Sequence, residues 1–256
     1  MTDTRVERRP LPDDLLSLPL RTGDSVRDFG PTLVVAPHAD DESLGCGGAI
    51  ALLAQSGVPV RVLFVTDGVG SHPGSRRYPP DRLRALRETE ARDALAELGV
   101  AAHNAAFLRL PDRRAPRIGS AGFARAAGLM REHMRQDSFT PRTIILPWRR
   151  DPHTDHRAAW ELVTAALCAS VDRPRLLEYP IWVWELGTDD DLPEPGEAFA
   201  WRLDISAVLQ RKLRAIAAHR SQTTPLIDDD PVGWYLKPHT LARFSQPWEV
   251  YLEPQD

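Results

Sequence analysis

The sequence predicts a doubly wound α/β fold: one mostly parallel sheet with helices on both faces, in a single domain. Three observations predict it. Short apolar or β-branched runs alternate with amphipathic helical stretches along most of the chain. Two charged clusters, "PHADDE" at 37–42 and "PHTDH" at 152–156, each follow closely on such a run. The 256 residues suffice for one large α/β domain, and no internal repeat divides them.

Residues 1–29 are polar and Pro-containing, with one amphipathic patch at 15–20. They read as an irregular arm ahead of a domain spanning 30–256. "TLVVA" at 32–36 is an apolar run of the kind that a buried parallel strand carries. A helix is expected over 43–55, stopped by Gly57. "VRVLFVT" at 60–66 reads as a second strand, closed by Asp67 and Gly68, with a loop through Pro80. Over 81–98, Leu83, Leu86, Ala91, Ala94, Leu95 and Leu98 recur at helical spacing, with Asp81 as the expected N-cap and Gly99 as the stop. A strand over 106–110, a loop, and a helix over 123–136 follow. Then come a strand over 143–146 and a helix over 157–169. Strands over 176–184, 199–205 and 249–252, with a helix over 208–219, complete the pattern. "DLPEPGE" at 191–197 reads as a surface loop or hairpin, not a linker.

Composition narrows the function. The net charge is −4 and the isoelectric point about 6.1, so nothing marks a nucleic-acid or anionic-membrane partner. Cys46 and Cys168 form no CxxC pair, so no thiolate metal site is expected and two free thiols are. The N-terminus lacks the apolar run of a secretory signal, and no stretch approaches the ~20 apolar residues of a membrane span. A cytoplasmic protein is expected.

In open α/β sheets, sites form beyond the carboxyl ends of strands, where both charged clusters fall. Crowding His38, Asp40, Asp41 and Glu42 there sets like charges against one another. A cation among them would relieve this. His38 and Asp41 are three apart, as are His153 and His156. Two imidazoles and one carboxylate from this set would suit Zn²⁺ or another divalent first-row ion, with a position left for water. One of the paired aspartates then serves as ligand and the other as general base. A histidine outside the ligand set would stabilise an oxyanion or protonate a leaving amine. Asp155 would orient one of the histidines.

"PHADDE" with "GCGG", followed by "PHTDH", resembles the PIG-L-like (LmbE-like) deacetylases. "VTDG" at 65–68, the Arg87/Glu90 helix ending in "ELG", and "HRSQT" at 219–223 extend the resemblance across residues 32–252. It implies a Rossmann-like fold and a zinc-dependent enzyme that removes an acyl group, usually acetyl, from an N-acylated glucosamine unit. Carried over by residue, it implies metal at His38, Asp41 and His156, and Asp40 as the base. His153 would act on the tetrahedral intermediate or as proton donor, and Asp155 would orient His153. Arg84 and Arg87 are both candidates to meet substrate. The family usually carries Pro where this chain has Ala39 and Thr154; both are spacers, not ligands.

The expected partner is a small N-acyl amino sugar or glycoconjugate, with no nucleic acid and no membrane span; a homo-oligomer is compatible with the sequence. Fe²⁺ or Co²⁺ would fit the same ligands as Zn²⁺. A metal-dependent hydrolase of another substrate class and a sugar-binding protein with a vestigial site are the alternatives. Cys46 is read as a packing residue, His72 as a surface-loop histidine, and the Asp228–Asp230 run as a solvated turn. His219 stands between a role near the site and none. Trp148 is expected at the rim of the site, with Trp182, Trp184 and Trp234 having equal claims to a sugar face.

Overall fold

A computed structural model describes residues 15–136, 139–168 and 173–255. The chain alternates as the sequence predicts. In order, its elements are β1 (Leu20–Arg21), β2 (Thr32–Ala36), α1 (Asp41–Gln55), β3 (Val60–Thr66), α2 (Pro80–Leu98), β4 (Ala105–Leu110), α3 (Phe123–Met134) and β5 (Thr143–Pro147). Then come α4 (Thr154–Leu167), β6 (Arg175–Tyr179), α5 (Val183–Leu186), β7 (Ala198–Asp204), α6 (Leu209–Ala218), α7 (Arg220–Thr223), α8 (Pro238–Phe244) and β8 (Trp248–Pro254). The expected helix over 157–169 ends, as far as it is described, at Leu167; residue 169 lies outside the described residues.

The strands form one sheet in the order β1-β7-β8-β6-β5-β2-β3-β4. Strands β2 to β6 are parallel; β8 runs antiparallel to both β6 and β7. The order reverses beside β2: the chain first builds outward through β3 and β4, then crosses back to β5 and β6. The crevice between β2 and β5 is therefore the topological switch point, where open α/β sheets bind ligands. "PHADDE" leaves β2 and "PHTDH" follows β5, so the topology alone brings the two clusters together.

Alternation along the central strands divides the core. Val34, Ala36, Val62, Phe64 and Ile145 pack with α1, α2 and α6 on one face. Leu33, Val35, Leu63, Val65 and Ile144 pack with α3 and α4 on the other. Both faces of these strands are covered, which explains their near-continuous apolar runs.

Several expectations shift. The strand expected over 176–184 ends at Tyr179, and α5 begins at Val183. Pro180 cannot extend the hydrogen-bond ladder, and the N–H groups of Ile181 and Trp182 donate instead to Asp151 Oδ2 (3.1 and 2.9 Å). The N-cap of α2 is Pro79, with Asp81 in the first turn; Gly99 closes the helix at φ 87°, as expected. Neither β1 nor α8 was anticipated. Leu20 and Arg21 add a short parallel strand beside Arg202 and Leu203, and Val26 and Phe29 enter the core. Trp148 is fully buried with its Nε1–H donating to Asp191 O (2.7 Å), so it is not a rim residue. Asp229 accepts from Ser75 Oγ and the N–H groups of Arg76 and Arg77, and Asp230 from Gly74 N–H. The acidic run is thus a clasp on the 72–77 loop rather than a solvated turn, and His72 in that loop is buried (3% exposed) rather than a surface histidine.

Both cysteines are free, Cys46 buried and Cys168 exposed. Cys46 sits at a break in α1 (φ −145°, ψ 20°). There Glu249 accepts the N–H groups of Gly48 and Ala49 (2.7 and 2.9 Å) and pairs with buried Lys212 (2.7 Å). The small residues of "GCGG" are required by close approach. A Cβ at Gly45 would lie 2.3 Å from the Tyr179 ring. That ring cannot yield easily, because Tyr179 Oη donates to Val35 O in the central strand (2.8 Å). We expect Gly45→Ala to lower unfolding stability by ~1–3 kcal/mol, the usual cost of overpacking, as measured by urea denaturation. A neutral substitution would mean that helix and ring separate freely.

Candidate metal centre

Asp41 Oδ2 is the point of convergence. It accepts the backbone N–H of His38 (2.9 Å), and lies 3.1 Å from His38 Nδ1 and 3.3 Å from His156 Nε2. His38 arrives from the end of β2, where Thr66 of the neighbouring strand donates both N–H and Oγ1–H to Pro37 O (3.0 and 2.9 Å). His156 arrives on the first turn of α4. The rings of His38, His153 and His156 have centroids 4.7–5.5 Å apart.

Both nitrogens of His156 are buried, and neither makes an aligned hydrogen bond. Burying an unsatisfied polar group is costly. A cation between His156 Nε2, His38 Nδ1 and Asp41 would use the idle nitrogen. The donor set, two imidazoles and a carboxylate without thiolate, fits a divalent first-row ion. Among the described residues, two groupings bring all their candidate ligand atoms within 4.8 Å of one another: His38 with His153 and His156, and His38 with Asp112 and Asp155; Asp41 is in neither.

Charges report the same demand. Burial opposes a charged imidazole at His156, yet Asp41 and Asp151 push its pKa up to about 9. Burial likewise opposes charge on His38, but Asp112, Asp155 and Asp41 hold it well above its usual value. Without another cation, protons on these rings supply the positive charge that the carboxylates require.

Around this centre lies a ring of carboxylates. Asp151 Oδ1 is 3.4 Å from His156 Nδ1 and accepts the N–H of His153 (3.0 Å). Asp155 Oδ2 meets His38 Nε2 (3.2 Å) and accepts the N–H of Arg113 (2.6 Å), a residue at φ 62°. Asp112 Oδ1 also reaches His38 Nε2 (3.4 Å), while its other oxygen accepts the N–H of Gly70 (2.7 Å). Asp155 therefore does not orient His153 through its carboxylate, as the sequence suggested. Its carboxylate goes to His38, and only its backbone N–H meets His153, donating to Nδ1 (3.2 Å). With Nδ1 accepting, a neutral His153 carries its proton on Nε2. Burial, then His38 and His156, lower the His153 pKa to about 4.

Asp40 stands beside the centre, 6% exposed, with φ 155°. Glu42 Oε2 accepts its N–H (3.0 Å), and His219 Nε2 lies 2.7 Å from Glu42 Oε1. His219 thus supports the backbone of Asp40. Burial raises the Asp40 carboxyl to about 6; Arg87 opposes the rise and Asp41 adds to it. Arg87 is itself buried. It donates to Gly68 O (2.8 Å), Ala39 O (2.9 Å) and Asp40 Oδ2 (3.4 Å). Arg84 stays outside, paired with Asp81 (2.9 Å) on the surface of α2.

Asp112, Asp151 and Glu42 were given no role from sequence. Asp112 lies two residues beyond the end of β4, so the strand-end rule that found the two clusters also reaches it. Nothing local distinguishes Asp151, whose partners are brought by β5, α4 and the chain after β6.

The family model described as "PIG-L: GlcNAc-PI de-N-acetylase" matches residues 33–167. This chain belongs to the PIG-L family. The family comprises metal-dependent deacetylases. A 1D-myo-inositol 2-acetamido-2-deoxy-alpha-D-glucopyranoside deacetylase of Actinosynnema mirum is 31% identical, over 86% of this chain and 90% of that protein. A protein of the same name from a Mycobacterium species is 30% identical over 68% of this chain, which spans only 59% of that relative. Among solved structures, the N,N'-diacetylchitobiose deacetylase of Pyrococcus horikoshii is similar in fold (TM-score 0.62, 22% identity, 82% of this chain and 74% of that one). So is a 4-carboxy-2-hydroxymuconate hydratase of Pseudomonas putida (TM-score 0.59, 18% identity, 88% and 95%). The fold alone therefore does not fix the reaction. No helix among the described residues is long and apolar enough to cross a membrane.

Carboxylates that hold ligating histidines typically tune metal affinity 10–100-fold. We expect Asp151→Asn to weaken divalent-metal affinity by roughly that factor, measured by competition with a chromophoric chelator, with the fold intact by circular dichroism. Unchanged affinity would remove Asp151 from the centre.

Proposed function

We propose that this PIG-L protein removes an acyl group, in the first instance acetyl, from an N-acylated glucosamine unit, and that His38, Asp41 and His156 hold the ion. The observation that carries the reading is the meeting of His38 Nδ1 and His156 Nε2 at one oxygen of Asp41, with neither buried nitrogen of His156 making an aligned hydrogen bond. Zinc is the ion we assign from the ligand types, with Fe²⁺ or Co²⁺ suiting the same donors. Bound there, a divalent ion supplies polarisation of the amide carbonyl and a more acidic water.

The remaining chemistry falls to the chain's own groups. Asp40, next to the ligand Asp41 but directed to Arg87 rather than to His38 or His156, takes the proton of the attacking water. Arg87 and Glu42 hold Asp40 in place, one at its carboxylate and one at its N–H. His153 donates a hydrogen bond from Nε2 to the oxygen on which charge builds. The C–N bond breaks as Asp40 passes the proton taken from water to the departing amine. We read Arg87 as a positioning residue and give Arg84 no part in binding.

Two predictions follow from these roles. Asp40→Asn retains about the wild-type metal content but loses ~10²–10⁴-fold in kcat, whereas His156→Ala loses metal and activity together. Elemental analysis and acetate release from an N-acetylglucosaminide, run on the same preparations, check both. A metal-free or fully active Asp40→Asn protein would overturn the assignment. Chelation abolishes acetate release, and adding back Zn²⁺, Fe²⁺ or Co²⁺ separately identifies the working ion. Phosphate release from phosphate esters, without amine release from any N-acyl sugar, would move the chain to another class of hydrolase.

A further inference from the structure

We propose that the substrate carries an apolar group next to the N-acylated sugar, and that Trp182, Leu186 and Trp234 receive it. This rests on the deacetylase reading and narrows its substrate class to amphiphilic N-acyl glucosamine derivatives.

His38, Asp40, Asp41 and His153 open into a single cavity of about 470 Å³, within the usual range for a small-molecule site. Its polar lining is concentrated in the groups already described, together with Ser71, Arg113, Thr154 and Gln222. The rest is hydrocarbon: Leu44, Pro152, Trp182, Leu186 and Trp234. Trp182 is partly exposed while its Nε1 is buried, so what it shows to the cavity is carbon. Its ring meets that of Trp234 at 5.5 Å and 67°, edge against face, which makes an apolar corner. Leu186 is one helical turn beyond Trp182 and donates its N–H to Trp182 O (2.9 Å). It is 62% exposed, among the most exposed large apolar side chains described.

A single exposed leucine needs no explanation. One that lines the same cavity as two tryptophans, continuous with the catalytic carboxylates, does. The corner is also built, not loose. Asp151, which faces His156, accepts the N–H of Trp182 (2.9 Å), so one carboxylate fixes both the centre and the apolar wall. The backbone N–H of Trp234 donates to Ser71 O (2.9 Å), fixing the chain that carries the other ring. Sugar hydroxyls turned toward this wall would lose their hydrogen bonds to water with little in return. An alkyl or aryl group would bury its surface there at no such cost. The group is joined either through the anomeric oxygen, as an aglycone, or through the nitrogen, as an acyl chain longer than acetyl.

Two substrate series on the metal-loaded protein separate these sources. One compares methyl, octyl and phenyl N-acetylglucosaminides; the other compares N-acetyl- with N-octanoylglucosamine. We expect kcat/KM to rise at least tenfold along one series. The gain along the first identifies the aglycone, and along the second the acyl chain. In Leu186→Ser and Trp234→Ala, each checked for folding by thermal melt, the ratio of the long to the short substrate should collapse toward one. Calorimetry with octyl glucosaminide and N-octanoylglucosamine gives a readout independent of turnover. If neither series gains, and neither ligand binds more tightly than glucosamine, the inference is overturned. If one ligand binds at least tenfold more tightly yet no substrate is cleaved, the deacetylase reading falls and the apolar site stands.

Discussion

One oxygen atom, Asp41 Oδ2, sets the constraint on which the rest of the molecule depends. It draws in His38 from the end of β2 and His156 from the start of α4. The two can meet only because β2 and β5 are neighbours at the point where the sheet reverses its order. Such a concentration of buried carboxylate and imidazole is tolerable only with positive charge at its centre. The raised pKa of His156, driven by Asp41 and Asp151 against its own burial, expresses that requirement.

Each group at the centre is held by another that never reaches the cavity. Glu42 fixes the N–H of Asp40 and is fixed in turn by His219 at the C-terminal end of α6. Ser221, two residues on, donates its N–H and Oγ–H to Glu90 of α2 (2.9 and 2.6 Å). Gln222 follows and lines the cavity. The segment "HRSQT" thus ties α1, α2 and the cavity wall together. Asp155 and Asp151 act likewise on His38 and His156, each using further oxygen valences on backbone N–H groups. Strain collects at the same place: Asp40 and Arg113 have positive φ, and each directs an N–H to one of these carboxylates.

The fold carries more than one chemistry, since a hydratase shares it with the deacetylases. What distinguishes this chain is therefore the furnishing of the crevice. The charged half comes from the loops after β2, β4 and β5. The apolar half comes chiefly from the chain after β6 and from the strap around Trp234, which is secured through Ser71, with Leu44 and Pro152 beside them.

The sequence by itself determined the alternation of strands and helices, the ends of most of them to within one or two residues, and the two clusters at strand ends. These are local signals: apolar periodicity, a glycine stop, like charges crowded within a few residues. The "HRSQT" segment and the small residues of "GCGG" were legible as patterns, though not as contacts. Only the tertiary structure decided which carboxylate serves which histidine. Asp155 is beside His153 in sequence, yet its side chain goes to His38, because the loop after β4 offers the N–H groups of Arg113 and Ala115 on that side. Arg87 is one turn from Arg84, yet one is buried against the base and lines the cavity, while the other pairs with Asp81 away from it. The end of β6 at Tyr179 depends on Asp151, a residue from another strand's loop. A carboxylate's partner is set by distance through space, and spacing along the chain does not encode it.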